Sequence, residues 1–122
     1  RIDPDNGQLT FVGAIEVPLT DTHGATWIDD ESRLYLVEGG VDELYRVDPT
    51  TLAAEALVLI DHDFHWVGFE FHPHDQTMYG CSYDAQVVVI HPDGTTSLHA
   101  TLDRPCNNLA APWGMPELPS TD

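Results

Sequence analysis

The chain has no lysine and only four arginines, Arg1, Arg33, Arg46 and Arg104, against 21 acidic residues. A formal charge of −17 repels phosphate backbones, which need clustered cations for counterion release. Nucleic acid and anionic membrane surfaces are therefore excluded as expected partners. Long apolar runs are also missing: the longest, residues 56–60, falls far short of a bilayer span. Only two cysteines occur, Cys81 and Cys106, and they form no CxxC pair, so a zinc ribbon or thioredoxin motif is ruled out. No basic-then-apolar leader opens the chain, and the first residue is Arg1 rather than Met. There is no G-x-S-x-G elbow, since "GCSYD" lacks the second glycine, and no Gly-rich phosphate loop or HExxH helix. "DPDNG" (3–7) begins like a calcium loop, but Ala14 stands where the closing Glu belongs.

Its 122 residues, 42% hydrophobic, suffice for one globular core. The acid excess fits a soluble secreted protein, which is the expected location, or alternatively the cytoplasm of a halophile, where salt screens dense carboxylates.

The chain repeats itself. "RIDPDNG" (1–7) returns as "RVDPTTL" (46–52) and "VIHPDGT" (89–95), while "HGATWIDDESRLYL" (23–36) lies over "VGFEFHPHDQTMYG" (67–80). All three segments agree on a period of about 44 residues. Each period holds four short runs rich in β-branched and aromatic residues, separated by Pro, Gly and Asp, the pattern of strands joined by tight turns. The first set is 24–28, 33–38, 43–47 and 54–60; the second is 66–71, 77–81, 86–90 and 96–102. Residues 51–60 have helix-favouring Ala and Leu. Their repeat partner "QLTFVGAIEV" (8–17) reads as a strand, so both are expected as strands. Asp-Pro at the turns accepts backbone N–H bonds and presets φ.

Four antiparallel strands per period is the pattern of a β-propeller blade. "GFEFHPHDQTMYGCSYDAQVVVIHPDGT" resembles the repeats of YVTN- and NHL-type propellers, over residues 1 to about 102. The expected fold is all-β, a partial propeller of consecutive four-stranded blades: 1–17 the end of one, 24–60 and 66–102 complete, 106–113 the start of another, and 114–122 a Pro-rich tail. A ring needs roughly four to eight blades, so missing blades of a longer protein, or self-association, are expected to complete it.

"DHDFHWVGFEFHPHD" (61–75) gathers four histidines and three aspartates. The strand between its halves spans about 20 Å, beyond the reach of one zinc ion, so the cluster divides. On one side, His72, His74 and Asp75 can approach His91 and Asp93; a solvated hairpin is the simpler account. On the other, Asp61, His62 and His65 are the candidate ligands for a divalent metal ion, a transition ion before Ca²⁺ because of the imidazoles. Surface solvation is the competing and simpler account there too. The resemblance implies that these blade-to-blade connections line the ligand-binding face, which makes Asp21, His23 and Trp66 the candidate ligand-binding residues. Trp66, at a strand entrance, is the better sugar-stacking ring; Trp27 is expected in the core, with Trp113 a third ring. Asp29 and Asp30 read as turn residues rather than an acid pair. Cys81 and Cys106 fall on the same face, which leaves a disulfide and two separate thiols both open. The expected function is non-enzymatic: a binding or scaffold surface for a protein, small-molecule or carbohydrate ligand. The alternative is a fragment of a lactonase-like or quinoprotein-dehydrogenase-like enzyme, with a metal or cofactor on the propeller axis.

Overall fold

The computed structural model describes residues 1–17, 20–28 and 33–111. All regular structure there is β: β1 (His23–Ile28), β2 (Arg33–Glu38), β3 (Glu43–Val47), β4 (Ala54–Leu59), β5 (Gly68–His72), β6 (Thr77–Cys81), β7 (Gln86–Ile90) and β8 (Thr96–Thr101). They form two four-stranded antiparallel meanders, β1-β2-β3-β4 and β5-β6-β7-β8, neither closed on itself. Both carry a bulge between the third and fourth strands, at Leu44/Tyr45 and at Val87/Val88.

Apolar alternation explains how the sheets pack. In "RLYLVE", Leu34 and Leu36 point one way and Tyr35 and Val37 the other, as the period of two requires. Both sets are apolar, so the first sheet is covered on both faces. One face joins Val37 and Leu44 to Phe69, Val88 and Ile90 of the second sheet, with Ile60, Phe64 and Val67 of the connection filled in between. Each fully buried Phe, Val or Ile contributes roughly 1.5–3 kcal/mol. The other face seats Leu36, Tyr45 and Val47 beneath Ile15 and Val17.

The sheets touch through β1 and β5. A Cβ on Gly24 would stand 2.8 Å from Phe69 Cβ and 2.9 Å from its backbone nitrogen, so only glycine allows this approach. The Thr26 hydroxyl bonds the Glu70 carboxylate and accepts the Phe71 N–H at 3.3 Å. The same Glu70 oxygen also accepts the Phe71 N–H at 3.0 Å, so removing that hydroxyl would leave Glu70 with the backbone bond alone.

Residues 51–60 are a turn and a strand, not a helix. Residues 8–17 depart from expectation: beyond a single Ile2–Leu9 bridge they form no strand. A strand needs a neighbour to take its N–H and C=O groups, and no strand of either sheet pairs with residues 10–16. The turn before them is formed nonetheless. Asp3 N–H donates to Gln8 O (2.9 Å) and Gly7 N–H to Asp3 O (2.8 Å), while Asp48 N–H donates to Ala53 O (2.9 Å) and Leu52 N–H to Asp48 O (2.8 Å). Gly7 and Leu52 both take positive φ, 72° and 63°. Trp27 is a second departure. It is 38% exposed, unlike Phe71 at 4%, because it points away from the face that meets β5.

Candidate functional site

The site begins at the end of β2, where Glu38 is completely buried. Two glycines follow it, so the chain can fold back over the carboxylate. Its Oε1 accepts the N–H of Thr20 (3.1 Å), the N–H of Asp21 (2.9 Å) and the Thr20 hydroxyl (3.3 Å). Its Oε2 accepts the N–H of Gly40 (3.1 Å) and Val41 (3.0 Å). Burial alone would raise this carboxyl's pKa. The four backbone donors, Asp21 first, outweigh it and hold the group below its ordinary range. Glu38 is thus an anionic clamp that ties the entrance of β1 to the β2–β3 turn and sets Asp21 at the surface.

Thr22 makes the next tie. Its hydroxyl donates to His65 O (2.6 Å) and accepts the Val67 N–H (3.0 Å). His65 is held with φ of 55°, a left-handed conformation costly for a residue with a Cβ, and this turn throws Trp66 outward before β5 begins. Asp42 closes the loop from the other side: its carboxylate accepts the Phe64 N–H at 3.0 Å and its carbonyl accepts the Ile60 N–H. Burial raises the Asp42 pKa, with the Phe64 bond opposing it.

Tyr83, in the β6–β7 turn, completes the arrangement. Its N–H donates to Phe64 O (3.1 Å), and the preceding Ser82 carbonyl accepts the Cys106 N–H (3.1 Å). Cys106 is bonded to Cys81 in a disulfide with Cα atoms 5.6 Å apart. The Trp66 and Tyr83 rings meet edge to face, centroids 4.8 Å apart and planes at 88°. They remain 39% and 52% exposed. With Asp21 and His65 they line an open cleft of about 340 Å³. His65 Nε2 lies 3.3 Å from Asp63 Oδ1. The cleft presents two fixed aromatic surfaces, one carboxylate acceptor and one imidazole.

A serine, a histidine and an aspartate also meet nearby, but not as a nucleophilic triad. The buried Ser82 hydroxyl bonds the Asp84 carboxylate, and His62 Nε2 lies 2.9 Å from Ser82 Oγ and 3.9 Å from Asp84 Oδ1. In a triad the imidazole stands between hydroxyl and carboxylate; here the hydroxyl does. The Ser82 hydroxyl also lies 3.4 Å from the Gln86 carbonyl. The His62 ring packs on Phe64 at 4.6 Å. The cluster braces the loop.

Of the residues singled out by sequence, Asp21 and Trp66 line the cleft, together with His65. His23 lies on β1 opposite Glu38, exposed and outside the cleft lining. Asp61, His62 and His65 are not gathered as metal ligands. Asp61 is tied through its backbone to Gly94 and Thr96, His62 faces Ser82, and His65 faces Asp63. Among the described residues no three His, Cys, Asp or Glu side chains converge on a metal position. His72 pairs with Asp75 (3.2 Å), His91 bonds Ser97 (2.9 Å) and Asp93 bonds Thr95, so these turns do not share a site. Trp113, Asp29, Asp30, Glu31 and the 114–122 tail lie outside the described residues. Sequence reasoning missed Tyr83 and Glu38. The Glu-Gly-Gly run after β2 is the signal for the second; nothing local marks the first. A separate groove of about 420 Å³ lies on the second sheet's far face, lined by Glu70, His72, Tyr79, His99 and the 109–111 segment.

No protein-family model matches the chain, and no curated protein is significantly similar to it.

Proposed function

We propose that this chain is a non-enzymatic recognition segment, two successive blades of a β-propeller-type protein resembling YVTN and NHL repeats, which binds its ligand in the Asp21–His65–Trp66–Tyr83 cleft. The observation that carries the binding role is the half-exposed Trp66–Tyr83 pair on loops already fixed by Glu38, Thr22 and the disulfide. Large aromatic rings held rigidly at the surface bind at low entropic cost, because little conformational freedom is left to lose.

The repeat reading draws support from register. Gly24 pairs with Val37 as Gly68 pairs with Cys81, and Trp27 with Leu34 as Phe71 with Met78. The turns after β2 and β6 each end on a positive-φ residue, Asp42 and Ala85. Two complete units fall short of a ring, so the remainder comes from further sequence in a longer protein or from other copies. The Cys81–Cys106 bridge supports an extracytoplasmic location, where disulfides persist.

The test is an NMR screen of the chain against mono- and oligosaccharides and short peptides, read at the tryptophan indole N–H signals. Ligands that move the Trp66 signal, and that lose about tenfold in affinity, or ~1.4 kcal/mol, in Trp66→Ala, are the expected result. A screen in which no compound moves that signal overturns the reading.

A further inference from the structure

Resting on that reading, we infer that the ligand held in the Trp66–Tyr83 cleft is a neutral pyranose sugar. The rings stand perpendicular at 4.8 Å, with one edge against the other's face. This makes a rigid corner with apolar surface, not the box of converging ring faces that encloses an ammonium group. A pyranose offers the match: one face of C–H groups to lie on an aromatic plane, and a rim of hydroxyls that both donate and accept.

The polar lining fits that rim. Asp21 presents a carboxylate, oriented because one oxygen accepts the Thr22 N–H at 2.8 Å. It is an acceptor for sugar hydroxyl protons, and charged acceptors make the stronger hydrogen bonds. His65, across the cleft, has an imidazole that can donate or accept. The cleft's lining contains no arginine, and Asp63 stands 3.3 Å from His65. In a chain of net charge −17, this excludes uronates and sulfated or sialylated sugars by repulsion. The volume, about 340 Å³, is at the small end for small-molecule sites. One or two rings fit; the open mouth lets a longer chain continue outside.

The experiment titrates the intact chain with methyl β-glucoside, methyl β-galactoside, methyl α-mannoside, glucuronate and choline, following the Trp66 indole signal and, in every variant, the backbone amide signals of residues 20–22 and 82–84. At least one neutral glycoside binds, at least tenfold more tightly than glucuronate and choline. Trp66→Ala and Tyr83→Ala each weaken it about tenfold, and Asp21→Asn weakens it less. Circular dichroism identifies any variant that fails to fold; because Tyr83 and Asp21 lie in different loops, one of them reads the cleft if the other collapses. Tighter binding of choline or glucuronate overturns the sugar assignment while leaving the cleft as the binding site. No shift of the Trp66 signal by any of the five probes also overturns it. The recognition role itself falls only if the broader saccharide and peptide screen is silent too.

Discussion

Replacing Glu38 with Gln changes one oxygen to an NH₂ group and almost nothing in volume, so it isolates what the carboxylate does. Oε1 serves Thr20 and Asp21; Oε2 serves Gly40 and Val41. A glutamine has one carbonyl oxygen and can satisfy one pair. The other two backbone N–H groups then face an amide NH₂ that cannot accept. Each buried donor left without a partner costs about 1–3 kcal/mol, and the surviving bonds lose charge assistance. A loss of roughly 3–5 kcal/mol follows, a large part of the ~5–15 kcal/mol typical of a domain. Urea denaturation followed by circular dichroism measures it. pH supplies an internal control. The Glu38 pKa is depressed in the folded state, so its stabilisation is present above the ordinary glutamate value and is lost as pH falls through the lower folded value. The stability gap between wild type and Glu38→Gln is therefore constant near neutrality and narrows in acid. A variant within ~0.5 kcal/mol of wild type, as for an exposed surface change, or a gap independent of acid, refutes the clamp.

Reduction of Cys81–Cys106, which closes a 25-residue separation, removes about 3 kcal/mol in the chain-entropy account. Melts with and without reductant measure this, and equal melting temperatures contradict it. Gly24→Ala drives a methyl into Phe69 and its backbone at the β1–β5 contact, costing roughly 1–3 kcal/mol; an unchanged denaturation midpoint would show that the sheets do not meet there. Tyr45 donates to Glu43 at 2.6 Å, and this bond, with burial and the neighbouring carboxylates, pushes its pKa up to about 12. The neutral phenol's stabilisation is whole below the ordinary tyrosine value and lost as pH rises through about 12. Ultraviolet titration finds a late ionisation step that Tyr45→Phe abolishes; its persistence in the variant contradicts the assignment.

The eight strands were legible because alternation and turn chemistry are local. "RLYLVE", "QVVVI" and the Asp-Pro turns carry their structure within a few residues of themselves. Residues 8–17 misled for the same reason: their composition suits a strand, but a strand exists only beside another, and pairing is not written in the segment. Trp27 was misplaced because alignment with Phe71 matches positions in a pattern, not the neighbours each ring meets. At the site, Asp21 was readable as a polar residue just before β1 and Trp66 as an aromatic residue in the connection between the sheets. Tyr83 was not, since the β6–β7 turn reaches Trp66 only through packing of Phe64 and the pull of the disulfide. Asp61, His62 and His65 are close in sequence, yet His62 faces Ser82 and His65 faces Asp63, partners that their spacing does not reveal.

The Trp66–Tyr83 cleft and the groove on the second sheet are both concave, and ligand recognition is proposed for the first. A backbone-amide NMR titration with the best saccharide from the screen decides between them. Shifts concentrated in residues 20–22, 63–67 and 82–84 are the result that the account predicts. Shifts centred instead on Glu70, His72, Tyr79 and His99, with Trp66 and Tyr83 unmoved, would contradict it.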